Sequence, residues 1–261
     1  MKKTITRILM NGAYAALSVL TFLCIWAIGV HYSEIKVVMP GPWKVIGAFL
    51  DSFVHPIGRH TMVAHILYSL MRVVPAYIGG SVFGIVLGIL MGWYRPVNSI
   101  FRPIYELIRP IPPIAWIPIA IVWFGIDEGS KWFLIFLAAF VPVTLNSISG
   151  ARSVDPLLIK CGEMLGASRK YIFRSIVLPY SVPYIFSGLQ VGLAGSWATV
   201  VAAEMIRSTE GVGWIIISSM DTNDVTQSLV GIVGIGIVGF LLATAMRELE
   251  DLLCAWTKRE V

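Results

Sequence analysis

The chain has 261 residues, of which 57% are hydrophobic and only 13% charged, with a formal net charge of +5. A soluble domain carries a charged fraction of roughly 25%, so this composition excludes a water-soluble globular fold and points to helices that cross about 30 Å of hydrocarbon. The three cysteines, Cys24, Cys161 and Cys254, have neither disulfide-framework nor zinc spacing.

The first charge-free run, Ile8 to Val30, follows Lys2, Lys3 and Arg7. It is long for a signal-peptide core and no small-x-small cleavage site precedes His31, so it reads as a retained span. Met39-Pro40-Gly41-Pro42 then bars a continuous helix, and Trp43 to Phe53 reads as a short amphipathic one. The second run, Val73 to Tyr94, sets Gly80, Gly84, Gly88 and Gly92 four residues apart. That spacing puts them on one helix face, a seam where a neighbouring backbone approaches closely. Arg72, at the edge of this run, is expected to snorkel outward.

The third run, Pro110 to Ile126, is short and opens Arg109-Pro110-Ile111-Pro112-Pro113. Prolines remove backbone donors and forbid regular helix, which makes the stretch irregular or kinked. Such backbone is tolerated at membrane depth only against protein or a watery cavity, so either a pathway-lining hinge or a structural kink fits. The fourth run, Trp132 to Ala151, contains Asn146.

A charged segment separates the fourth and fifth runs. Asp155 before Pro156 reads as a helix N-cap with proline at the first helical position. The helix continues toward Leu165 and stops at Gly166. Ser168 is placed to cap a second helix reaching Val177, with Ile172, Phe173, Ile176 and Val177 forming an apolar stripe opposite Arg169, Lys170 and Arg174. Pro179 and Pro183 are expected to end it before the fifth span. That span, Ser175 to Ala203, repeats the small-residue seam with Gly188, Gly192 and Ser196. The sixth run, Val225 to Met246, scatters Gly231, Gly234, Gly236 and Gly239 over more than one face.

With six spans, the basic residues fall unevenly. The N-terminus, Arg95, Arg102, Arg109, the loop with Arg152, Lys160, Arg169, Lys170 and Arg174, and the C-terminal Arg247, Lys258 and Arg259 share one side, 14 of the 20 lysines and arginines. Lys36, Lys44, Arg59, Lys131 and Arg207 lie opposite. The positive-inside rule makes the first side cytoplasmic and places both termini there. The positive net charge is thereby a topology signal, and no nucleic-acid partner is needed to explain it.

Gly166, nine residues, and then Ile176-x-Leu178-Pro179 resembles the cytoplasmic loop of permease subunits of ATP-binding-cassette (ABC) importers. Arg109 to Ile126, Ser153-Val154-Asp155-Pro156, Leu165-Gly166-Ala167-Ser168-Arg169 and Val201-Ala202-Ala203-Glu204-Met205 resemble the nitrate/sulfonate/taurine-type branch, and the likeness runs from about Pro40 onward. The resemblance implies an all-α polytopic permease in the cell inner membrane, a single domain over residues 1–261 with core transport helices at about 60–255 and a coupling loop at about 152–180. It implies a homodimer, a cytoplasmic ABC ATPase dimer that holds ATP and Mg, and an extracytoplasmic solute-binding protein. The loop residues Glu163, Met164, Leu165, Gly166, Ala167, Ser168, Arg169, Ile176, Leu178 and Pro179 would face the ATPase. Where the family's loop has Glu-Ala-Ala, this chain has Lys160-Cys161-Gly162, and Glu163 is the acid nearest to the lost one.

The chain has no phosphate-binding G-x-x-x-x-G-K-[ST] run, so it is expected to be no enzyme and to leave ATP hydrolysis to a partner. Polar groups inside spans are functional candidates by default; Asn146, Gln190, Trp197, Thr199 and Glu204 are therefore candidates for the translocation path. Gln190, Trp197 and Glu204 recur every seven residues and share a face, although Glu204 reads equally as an interfacial residue. Of the alternatives with no ATPase, a secondary transporter calls for midplane acids and internal repeats that the sequence does not clearly offer, and a membrane scaffold or channel gives no reason for a helix-corner-helix loop. Sulfonates, taurine, nitrate and uncharged heterocycle precursors all remain open as solutes.

Overall fold

The computed structural model describes residues 2–32, 39–206 and 208–254. Lys36, Arg207, Lys258 and Arg259, which enter the charge asymmetry above, lie outside the described residues. Within them, helices account for all the regular structure apart from one isolated antiparallel bridge between Ile57 and His60. Five helical segments are long and apolar enough to cross a membrane: Gly12–Tyr32, Met62–Trp93, Glu128–Arg152, Arg169–Ile206 and Val225–Leu253. A sixth span exists if the bent pair Arg95–Ile108 and Pro113–Phe124 is counted as one.

By their contacts the described residues divide into two compact units. The first comprises Met1–Val63 and Ile215–Gly234. It contains helix α1 (Lys2–Tyr32) and the short α2 (Pro42–Asp51), which begins with proline at its first turn, where the missing N–H costs nothing. It also holds most of α10 (Val212–Asp221) and the start of α11 (Val225–Leu253), where Gly231 lies against Ile215 and Ile216.

The second unit, Ala64–Trp214 with Ile235–Val261, is organised around α6 (Glu128–Arg152), flanked by α3 (Met62–Trp93) and α9 (Leu178–Ile206). Glycines set the spacing on both flanks. A methyl group at Gly80 would stand 2.5 Å from the Phe136 carbonyl oxygen, one at Gly88 2.6 Å from both the Thr144 oxygen and Ser147 Cβ, and one at Gly92 2.5 Å from Ala151 Cβ. At Gly84 the approach is looser, 3.0 Å to the Phe140 oxygen. On the other flank a Cβ at Gly188 would meet Asn146 Cβ at 2.8 Å, Gly192 approaches Val143 and Ala139, and the Ser196 hydroxyl donates to the Ile135 carbonyl at 3.3 Å. Such backbone-to-backbone approach is how helices gain dispersion contact where lipid removes the hydrophobic drive. A core of Val73, Tyr77, Ile135, Ala139, Trp197, Val200 and Val238 completes the packing.

Two sequence expectations are corrected. The third run is not confined to Pro110–Ile126: α4 (Arg95–Ile108) ends at the prolines, a 3-10 turn (Pro113–Trp116) and α5 (Ile117–Phe124) follow, and the two arms, meeting at 88°, count as one span only when taken together. About a dozen residues cover roughly 18 Å of helix, too short to cross alone. Nor do Pro179 and Pro183 end a separate loop helix. From α8 (Arg169–Ile172) the chain runs through a π-helical turn, Phe173–Val177, straight into α9, with Pro183 inside the helix. The wider π turn precedes Pro179 and gives its ring room that a regular α turn denies.

Candidate functional site

The charged segment forms a helix, a corner and a second helix. Asp155 caps α7 (Pro156–Met164), its side-chain oxygen accepting from the Leu157 N–H at 2.8 Å. At the other end of α7 the Gly166 N–H donates to the Glu163 carbonyl and the Ala167 N–H to the Gly162 carbonyl, both at 3.0 Å. Those two bonds close a Schellman motif, which needs a left-handed residue, and Gly166 has φ +77°. Ser168 then caps α8, accepting from the Tyr171 N–H at 3.3 Å.

The corner is anchored from behind. Gly162 packs against Ile172 and Ile176, and Ile159, Phe173, Ile176 and Leu178 pack around buried Ile89, Ala151, Val154 and Val177. The loop is therefore cemented to the ends of α3 and α6. What it turns outward is apolar: Met164 is 78% and Leu165 88% exposed. Glu163, Ser168 and Arg169 beside them are exposed and Ala167 is half-buried, while Pro179, also exposed, stands further along at the start of α9.

The polar residues of α9 part ways. Gln190 and Trp197 line a cavity of about 270 Å³ with Leu193, Gly239, Met246 and Arg247. There the Gln190 amide donates to the Glu250 carboxylate, and the Trp197 indole N–H donates to the Ile235 carbonyl at 3.1 Å. Thr199 lines a different, more open groove of about 380 Å³, whose wall is the proline break from Arg109 to Pro113. Asn146 borders neither; it bonds back to the Pro142 carbonyl within α6 and sits under Gly188.

Glu204 is fully buried. Its carboxylate accepts from the Ser69 hydroxyl at 2.9 and 3.0 Å, the Gly213 N–H at 3.0 Å and the Arg72 guanidinium at 2.8 Å. Arg72 does not snorkel outward as expected. Only 5% exposed, it grips Glu128 with two further N–H groups at 2.7 and 2.9 Å and donates to the Glu210 carbonyl at 3.0 Å. An arginine held among acceptors on three other segments gains more from them than from solvent at the helix edge. Lys131 donates at 2.8 Å to the same Glu128 oxygen, Oε1, that Arg72 Nη2 holds. The Val212 N–H donates to Ser69 and the Gly211 N–H to His65, whose ring stacks on Trp214.

Sequence reasoning missed Ser69, His65, Glu128 and Gly213, because the partners lie up to 146 residues apart. The available signal was Arg72 itself, an ionised group beside an apolar run that demands a counter-charge.

Residues 80–256 match the family described as binding-protein-dependent transport system inner membrane component. The chain is 37% identical over 233 residues to the taurine transport system permease protein of Escherichia coli, covering 88% of this chain and 84% of that protein. It is 36% identical over 188 residues to the nitrate import permease protein of Synechocystis, covering 72% and 68%. The MetNI methionine ABC transporter, solved in inward-facing conformations, shares the fold with a TM-score of 0.61 at 19% identity, covering 72% of this chain and 93% of that one. This chain belongs to the family of binding-protein-dependent transport system inner membrane components, as the permease subunit of an ABC importer whose ATPase is a separate subunit.

Proposed function

We propose that this permease acts as a homodimer in the cell inner membrane, with both termini and the loop at 152–180 on the cytoplasmic side and the opposite ends of α6 and α9 toward the solute-binding protein. The basic-residue asymmetry supports that orientation. The exposed Met164–Leu165 corner carries the assignment of the loop: an apolar pair held out on a cemented turn, rimmed by Glu163 and Arg169, is a surface made for another protein. The residues from Glu163 to Arg169 meet the ATPase directly, while Ile176 and Leu178 fasten the loop to the spans behind it. Glu163 stands in for the acid missing at Lys160.

The solute is a small anion or zwitterion, by kinship with permeases named for taurine and nitrate. Its path runs along the groove of Thr199 and the proline break, where Arg109 supplies a cation, and past Gln190 and Trp197. Asn146 and Glu204 lie behind that path, in contacts between helices, and do not touch the solute. The whole chain serves as one permease domain, with the transport core at about 60–255.

Leu165→Glu tests the loop. Burying an unpaired charge in the subunit contact costs several kcal/mol, enough to weaken ATPase capture about a hundredfold. Membrane insertion is expected to persist while a tagged variant co-purifies little ATPase. Undiminished capture would remove the corner from the contact. The solute is tested by uptake of labelled taurine, nitrate and bicarbonate in cells expressing the complete importer.

A further inference from the structure

The segment from Arg169 to Ile206 is a continuous 38-residue helix, about 57 Å long at the usual rise. One end is the loop that packs on Gly162 through Ile172 and Ile176. Two residues before the other end stands Glu204, in the Arg72 cluster. The cluster joins four segments: α3 through His65, Ser69 and Arg72, the first turn of α6 through Glu128 and Lys131, the end of α9 through Glu204, and residues 208–213, a turn leading into the start of α10, through the Glu210 carbonyl and the N–H groups of Gly211, Val212 and Gly213. Gly211, at φ +115°, lets this turn fold directly over the Glu204 carboxylate, with no room for a side chain.

The fork of Arg72 decides how stiff this joint is. Nε and one terminal nitrogen hold Glu128 while the other terminal nitrogen holds Glu204 and the Glu210 carbonyl. A planar guanidinium fixes those directions simultaneously, whereas a lysine ammonium is a point charge that cannot span both carboxylates in fixed geometry. The turn, the first turn of α6 and the end of α9 are thereby all tied to α3 through one planar group.

We propose that Arg72 is a positioning residue for transport. By locking the 208–213 turn to α9, it passes displacement at the binding-protein side along the helix to the ATPase loop. The proposal rests on the orientation given under Proposed function. It places the signal in one continuous helix with a braced head, so loosening the brace uncouples the two ends without dismantling either.

The test uses the complete importer in proteoliposomes, with ATPase rates measured with and without the loaded binding protein. Arg72→Lys keeps the buried positive charge and loses the fork. The assembled complex is expected to keep its basal ATPase rate, while stimulation by the loaded binding protein falls about fivefold or more, within the range of couplings altered by mutation away from both sites. Stimulation equal to that of the unsubstituted importer overturns the proposal, as does a parallel fall of basal and stimulated rates, which marks a merely structural role. If Arg72→Lys fails to assemble, Ser69→Ala, which removes the hydroxyl bridging Glu204 and the Val212 N–H, is read in the same assay with the same two outcomes. An unsubstituted importer that shows no stimulation would count against the orientation and partner reading instead.

Discussion

Replacing Gly80 with alanine adds one methyl group to the α3–α6 seam. Its Cβ would stand 2.5 Å from the Phe136 carbonyl oxygen, roughly 1 Å short of the 3.4 Å at which ordinary contact begins, and 3.0 Å from Ala139 Cβ. A backbone oxygen cannot rotate aside, so the helices must separate, and overpacking of this kind costs about 1–3 kcal/mol. The alanine recovers up to about 1 kcal/mol of helix propensity, leaving a net loss near 1–2 kcal/mol. Gly79→Ala, one position along, meets only Phe136 Cδ2 at 3.8 Å and is expected to be neutral or stabilising.

Gly92 offers the decisive comparison. There the closest atom is the side-chain Cβ of Ala151 at 2.5 Å, with the nearest backbone atom, the Ile148 oxygen, at 3.1 Å. Gly92→Ala is expected to be rescued by Ala151→Gly with a favourable coupling of about 1–2 kcal/mol, whereas Gly80→Ala with Ala139→Gly is expected to show little coupling. Reversible unfolding in mixed detergent micelles, run as two double-mutant cycles, measures both. Equal couplings at the two sites, or Gly80→Ala matching Gly79→Ala, would refute the idea that backbone approach sets this seam.

Two further substitutions probe the loop. Gly166→Val meets no atom within 4 Å, so its cost is conformational: forcing a β-branched residue to φ +77° is expected to lose about 1–2 kcal/mol of loop order, with Gly166→Asn milder, read by limited proteolysis at the corner and by uptake. Asp155→Ala removes the cap on α7 and is expected to cost about 1 kcal/mol, seen as faster amide exchange at Leu157 with the transmembrane helices unaffected. Exchange unchanged at Leu157 would show that the cap contributes nothing.

Short-range chemistry made much of the loop legible. Asp155, Gly166 and Ser168 act through bonds spanning at most five positions and Pro156 through its fixed φ, and caps of that kind are specified by local sequence. The same holds for the amphipathic helix after Pro42. Prolines were less reliable guides. At Pro110 to Pro113 they broke the chain as anticipated, yet at Pro179 and Pro183 the helix continued, because a π turn absorbs the ring when flanking packing on Ile89 and Ala151 rewards continuity.

From the sequence alone came the bilayer setting, the runs that supply the spans, the helix-corner-helix loop and the resemblance to importer permeases. The first three follow from composition, periodicity and spacing along the chain, which carry information only over a few turns; the resemblance rests on family motifs matched in order. Tertiary structure decided the 88° break, the trough that α6 occupies between α3 and α9, and the fate of Arg72. An isolated arginine beside an apolar run has two ways to lower its energy, reaching solvent or finding counter-charges. Only the fold, by bringing Glu128 and Glu204 to within 3 Å of it, selects the second.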